Sequence, residues 1–255
     1  LGTATAGSDD GVAKSSAVGR NAQSFEGAIS MPTLRVFSTL ALAGVFNDLL
    51  PNFSDSSVET TLLPTALLAE RIRAGEVADV AILMADMIDA LIEERVLQPG
   101  RTDLARSQVG IAVRAGARKA DISTVEGFVA AMHAARSVAV SRAGASGVSF
   151  AQVLRGLGIA DEVNAKAIFI PSGFTGELVA RGEAEMAVQQ ISELMVVPGI
   201  EIVGALPPGI ECISVFSAGI FAGTPLPAQA QSLIALLHSA EAGLVFKAKG
   251  LEPLG

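Results

Sequence analysis

Three features of the 255-residue sequence predict an α/β fold of two lobes, each a mostly parallel sheet flanked by helices. From Leu34 onward, short apolar runs alternate with amphipathic segments of about 10–15 residues, the pattern of βα repeats on a largely parallel sheet. A second, similar series starts at Val138. Half of the residues are apolar and 17% are charged, so burial can outweigh chain entropy and fill two lobes of roughly 100 residues each.

Residues 1–30 are small, polar and rich in Gly and Ser, without an apolar run long enough for a signal peptide or a membrane span, and are expected to be a tail. A first strand is expected at 34–37. Apolar positions at helical spacing (Leu42, Val45, Phe46, Leu49, Leu50) predict a helix over 40–50 that ends at Pro51. A strand at 58–62 and a helix at 66–74 follow, the helix closed by Gly75. Next come a strand at 79–83, a helix through Ile88, Leu91 and Ile92, and a strand at 109–113. The helix expected at 122–135 has Ser123 and Thr124 as capping candidates.

The second series runs as strand 138–140, helix 149–156, strand 167–170, helix 176–181, strand 187–190 and strand 200–203. After Pro207-Pro208-Gly209, an apolar strand at 213–221 and one long helix at 227–246 complete the chain. The expected lobes are 31–112 with 209–255, and 113–208. Crossings near 109–114 and 210–216 make a hinge, and ligand sites favour such interfaces.

Composition excludes several functions. A formal charge of −8 without a Lys/Arg cluster argues against nucleic acid. Trp and Tyr are absent and the only aromatics are 11 Phe, so aromatic stacking cages are not expected. The single Cys212, flanked by Ile210, Ile213 and Val215, rules out an internal disulfide and reads as a buried strand thiol. His133 and His238 have no metal-site spacing, so neither a metal nor a cofactor is expected. Phosphate loops of the GxxxxGK[ST] or GxGxxG type are also missing.

Four segments combine a strand end, hydroxyl or glycine residues and a helix start, which presents backbone N–H groups to an anion. The first carries Ser38 and Thr39, either of which can cap the helix and meet a ligand. The second places Thr65 just before a helix. The third, 141–147, offers Arg142, whose planar fork suits a carboxylate, together with Ser146 and the glycines Gly144 and Gly147 for close backbone approach. The fourth is the Ser172–Gly173 turn, followed after the next strand by Gln189, Gln190, Ser192 and Glu193. Each also has a purely structural reading as a cap, a surface arginine or a polar strand end.

The run Val36-Phe37-Ser38-Thr39-Leu40 and the block from Leu68 to Val80 (LAERIRAGEVADV) resemble the type II periplasmic solute-binding proteins, in their molybdate-binding-protein-like branch of ABC-transporter substrate-binding proteins. The likeness continues through Ser146-Gly147-Val148, residues 179–184 and the ending 241–251. It implies a two-lobed fold with two hinge crossings that binds an oxyanion through hydroxyls and helix N-termini. By resemblance, Ser38 is the first ligand serine, and Thr65 or Ala66 falls at a second hydroxyl position. Ser146 and the turn 172–174 supply backbone amides, and Gln190 stands where molybdate binders place a tyrosine. That exchange, Pro64-Thr65 and the added Arg142 point away from a strict tetrahedral site. Gln190, which also carries an acceptor, suggests a ligand with mixed polar groups.

The leading expectation is a monomeric solute-binding protein that captures a small anion, an oxyanion or organic carboxylate, for an ABC permease. One alternative is an enzyme similar to aconitate isomerase, for which the candidate bases are Glu193 and the Ser38 and Thr65 hydroxyls. Another is a cytoplasmic anion sensor. Removal of an upstream signal implies a periplasmic protein, whereas a native start at Met31 implies a cytoplasmic one.

Overall fold

The computed structural model describes residues 31–255, and the expected tail over 1–30 lies outside the described residues. The first series comprises β1 (Thr33–Ser38), a 3₁₀ turn (Leu40–Leu42) leading into α1 (Ala43–Leu49), β2 (Ser57–Leu62), α2 (Thr65–Arg73), β3 (Val80–Met84), α3 (Ala85–Glu93) and β4 (Thr102–Arg114). The second comprises α4 (Val125–Ala134), β5 (Val138–Ser141), α5 (Ala145–Gly156), α6 (Ala160–Ala165), β6 (Ala167–Ile170), α7 (Thr175–Ala180), β7 (Met186–Gln190), α8 (Ile191–Leu194) and β8 (Ile200–Ala205). The chain returns through β9 (Ile213–Ile220) to α9 (Pro227–Leu237), α10 (Ala240–Ala248) and β10 (Glu252–Pro253).

The strands order as β2-β1-β3-β9-β4 in one half and β6-β5-β7-β4 in the other, with β8 and β10 added on β4. The βα-linked strands β2, β1 and β3 pair in parallel, as do β6, β5 and β7. The returning strands are antiparallel, so the sheets are mixed rather than purely parallel. Strand β4 joins both halves: Thr102 to Gln108 pair with β9, and Val109 to Val113 pair with β7. Its N-terminal half was not expected to be strand. It mixes polar residues with the adjacent buried pair Leu104 and Ala105 and buried Ser107, without the continuous apolar run that follows.

Successive strand residues feed opposite cores. In the first half, Leu34, Val36, Val80 and Ile82 pack on one face, while Phe37, Ala81 and Leu83 pack on the other. The second half repeats the arrangement, with Val138, Val140 and Val188 against Ala139 and Ala187. Each fully buried large side chain contributes about 1.5–3 kcal/mol.

The LAERIRAGEVADV block has a local explanation. Helix α2 ends in a Schellman turn, with the Gly75 N–H donating to the Ile72 carbonyl, the Glu76 N–H to the Arg71 carbonyl, and Gly75 at φ 97°. Buried Asp79 then accepts from the Arg35 N–H at 2.7 Å and from the Thr224 hydroxyl at 2.5 Å, fastening the start of β3. Helix α7 ends in the same way at Gly182, with the Glu183 N–H donating to the Leu178 carbonyl. The two halves thus reuse one helix-stop-strand device.

Three further expectations are corrected. The helix expected over 227–246 is two helices, broken at His238, because the Ser239 hydroxyl caps α10 by accepting from the Ala242 N–H. Cys212 lies half-buried just before β9 beside exposed Ile213, because the buried face of that strand begins only at Ser214. Helix α5 starts a turn earlier than its glycines suggested. Gly147 lies within the helix, where a Cβ would stand 1.7 Å from the Ser141 carbonyl oxygen, so only glycine lets α5 seat on the end of β5.

Replacing Gly147 by Ala is therefore expected to destabilise the fold by about 1–3 kcal/mol, the usual cost of overpacking. Denaturant titration of the two forms measures the difference, and an unchanged midpoint contradicts the packing described.

Candidate functional site

In each half the chain leaves its central parallel strand to one side and then to the other: β1 lies between β2 and β3, and β5 between β6 and β7. Such switch points leave a crevice at the carboxyl ends of the strands, where ligands bind in open α/β sheets. The residues following β1 and β5 meet there. One small cavity is lined by Thr39, Leu40, Pro64 and Thr65 from the first half, with Phe216 of β9, and by Ser141, Gly144 to Ser146, Gln189, Gln190 and Glu193 from the second. It offers about 10 Å³ to the centre of a water molecule, room for roughly one water. A larger ligand requires the two halves to part.

Two helices of full length point their N-termini into this space. Helix α2 follows Pro64, which has no side chain to cap it, and α5 follows Gly144, which likewise lacks one. Their first-turn N–H groups, including those of Thr65 and Ser146, have no intrahelical acceptor. Each N-terminus favours negative charge. Thr39 precedes the 3₁₀ turn without capping it, which leaves its hydroxyl unengaged by that turn. The capping expected of Ser38, Thr39 or Thr65 is thus corrected. The Ser38 hydroxyl donates to the Thr39 carbonyl at 3.1 Å, and Thr65 is already inside the helix because extended Pro64 occupies the cap position.

The second half supplies an acid and two amides. Gln189 is fully engaged: its Oε1 accepts from the Thr175 N–H at 2.7 Å and from the Thr175 hydroxyl at 2.9 Å, and its Nε2 donates to the Gly173 carbonyl at 3.0 Å. Gln190 is not. Its Nε2 donates to the Ser214 hydroxyl at 2.7 Å, but its buried Oε1 has no partner. A hydroxyl both donates and accepts, so a half-turn of this amide would keep the Ser214 bond and present the NH₂ group to the cavity instead.

Glu193 is 6% exposed, lines the same cavity and forms none of the ion pairs among the described residues. Burial pushes its carboxyl up to about 8, against a smaller opposing pull from the Gln190 backbone and the Gln189 side chain. Gln190 is the N-cap of α8 and Glu193 its third residue, the spacing of a capping box in which the acid reaches back to the cap N–H. That spacing is the sequence signal that ties Glu193 to the start of α8, while its burial comes from the packing of α8.

Of the residues singled out from the sequence, Thr39, Thr65, Ser146 and Gln190 share the cavity, while Ser38 is buried outside its lining and bonded to the Thr39 carbonyl. Arg142 and Ser172 do not join them. Arg142 is exposed, with its guanidinium 4.7 Å from the centre of the Phe169 ring, because the residue after β5 turns outward there. Ser172 is also exposed, and Gly173 contributes only its carbonyl to Gln189. Phe216 also lines the cavity, as do Pro64, Ser141 and Gln189 from the candidate segments. Among the described residues there is no group of three or more His, Cys, Asp or Glu side chains able to hold a metal ion, and no helix long and apolar enough to cross a membrane.

Two α/β halves joined by crossing strands are the fold of the type II periplasmic binding proteins. The periplasmic molybdate-binding protein of Azotobacter vinelandii shares this fold with a TM-score of 0.73 at 21% identity, over 86% of this chain and 98% of that one. The sulfate-binding protein SubI of Mycobacterium tuberculosis H37Rv matches with a TM-score of 0.70 at 13% identity, over 87% of each chain. The chain belongs to the bacterial extracellular solute-binding protein family, whose profile spans residues 34–252. An aconitate isomerase of Pseudomonas sp. is 32% identical over 232 residues, which is 87% of this chain and 88% of that protein.

Burial of Glu193 has a measurable consequence. The folded carboxyl keeps its proton up to about pH 8, whereas the unfolded chain releases it near the ordinary glutamate value, so folding takes up a proton between those limits. Stability contributed by this group falls as pH rises through that window, approaching about 1.4 kcal/mol per pH unit at its centre, and levels off above it. Glu193→Gln is expected to gain stability relative to the parent from pH 5 to 8. Parallel melting curves across that range would contradict the assignment.

Proposed function

We propose that this chain captures a small organic polycarboxylate in the cleft between its halves and delivers it to the permease of an ABC transporter, acting as a periplasmic monomer. The jaws of this device are 31–112 with 209–255, and 113–208. The observation that carries the reading is the convergence of the uncapped N-termini of α2 and α5 on one cavity from opposite halves. Each can take a carboxylate group, and a ligand with two such groups draws the halves together.

A polycarboxylate fits better than a proton-free tetrahedral anion such as molybdate. The cavity contains the unpartnered Gln190 Oε1 and an acid that is mostly uncharged at pH 7, a mixture of donor and acceptor sites that a ligand with both kinds of group can use. With Arg142 turned outward, attraction in the cleft is local, from helix N-termini rather than from a chain of net charge −8. A second reading, an isomerase of the aconitate type, is favoured by the 32% identity to such an enzyme.

Isothermal titration with molybdate, tungstate, sulfate, citrate, cis-aconitate and trans-aconitate tests the proposal. Binding is expected for one or more of the carboxylates, weakened about tenfold by Gln190→Leu through loss of a hydrogen bond. Tight binding confined to molybdate and tungstate would contradict it.

A further inference from the structure

Anion capture alone does not require a carboxyl group in the cleft. Ionised, the group repels an anion, and neutral, it offers a single hydrogen-bond donor that any hydroxyl would supply. Glu193 is nevertheless buried, lines the cavity and has no cationic partner among the described residues. Its setting also holds it rigidly. It sits on the first turn of α8, next to Gln189, whose own amide is tied to Thr175 and Gly173.

We infer that Glu193 is the proton carrier of a 1,3-proton shift on an unsaturated polycarboxylate, a step that rests on the isomerase reading of this site. The substrate class is an allylic acid with a C–H flanked by a carboxylate and a C=C bond. The Glu193 carboxylate takes the proton from that carbon. The freed pair becomes the new double bond, and the former π pair moves to the third carbon, which recovers the proton from the Glu193 carboxyl. Proton and double bond exchange places, Glu193 is regenerated, and no oxidant, reductant or cofactor is consumed. The negative charge that spreads into the substrate carboxylates in the transition state lies toward the N-termini of α2 and α5, which stabilise it without reorganising.

The raised proton affinity of the group suits the task, because a stronger base removes a carbon-bound proton more readily. At pH 7 about a tenth of molecules hold the carboxylate, so turnover rises with pH toward a plateau. The 3₁₀ turn and β7, which pack on α8, carry no charged residue. The other elements packed on α8 (α1, β4 and β8) carry Asp48, Asp103, Arg106, Arg114 and Glu201, none of which lines the cavity.

The test follows cis- to trans-aconitate conversion by NMR, together with calorimetric binding, for the parent chain and for E193Q. Glutamine preserves the shape and the acceptor that meets the Gln190 N–H, so binding is expected to stay within about threefold. Turnover is expected to fall by about 10²–10⁴, the usual contribution of general acid–base catalysis. In the parent, kcat/KM is expected to rise about tenfold per pH unit below pH 8 and then flatten. Turnover by E193Q within tenfold of the parent, or a flat parent profile from pH 6 to 9, overturns the role of Glu193 and leaves the isomerase reading standing. A parent chain that binds aconitate without converting it overturns both.

Discussion

Strand β4 is the covalent and hydrogen-bonded axis on which the two halves depend. Over 13 residues it pairs first with β9 and then with β7 and β8, so the sheets share one backbone rather than a linker. The handover at Gln108 and Val109 sets where the switch points at β1 and β5 face one another. Gly110 keeps the handover compact, since a Cβ there would meet the Ile191 side chain at 2.7 Å and the Gly204 carbonyl oxygen at 2.9 Å. Helix α8, which carries Glu193, therefore rests directly on the shared strand, and its acid is held at the junction between the halves.

The chemistry of the cleft follows from what this junction leaves unsatisfied. Pro64 and Gly144 withhold side-chain caps from α2 and α5, so backbone donors remain for an anion. Gln189 is spent on structure and Gln190 keeps a free acceptor. Burial holds a proton on Glu193 that solvent would remove at pH 7. On the proposed reading, the backbone donors, the amide and the uncharged acid recognise a carboxylate, and the same acid moves a proton once a carbon acid is held against it.

Much of the fold was legible in the sequence because buried parallel strands read as continuous apolar runs. Residues 79–83 and 138–140 are of this kind, and each precedes a helix as expected. What escaped was governed by tertiary contact, or by elements and caps too short for periodicity to register. The polar half of β4 is a strand because β9 and β10 flank it. Helix α8 is a single turn, too short for periodicity to register, and the α9–α10 break depends on a cap, not on hydrophobic spacing. Thr39 and Gln190 stand at strand ends and Thr65 and Ser146 in first helical turns, positions visible in the strand and helix pattern, and all four line the cavity. The outward turn of Arg142 was not visible in that pattern, since its residue type suits an anion and only the Phe169 ring fixes its direction. Glu193 was visible as an acid after a strand, but its burial depends on the packing of α8 over β4.

The central claim, that anionic groups of one ligand bridge the N-termini of α2 and α5, is tested most directly by a crystal structure of the chain grown with trans-aconitate. The account predicts one carboxylate within hydrogen-bond distance of the Thr65 and Ala66 amides, another at the Ala145 and Ser146 amides, and Glu193 facing the carbon chain between them. A ligand held on one half only, or bound outside the cleft with both N-termini facing solvent, would contradict it.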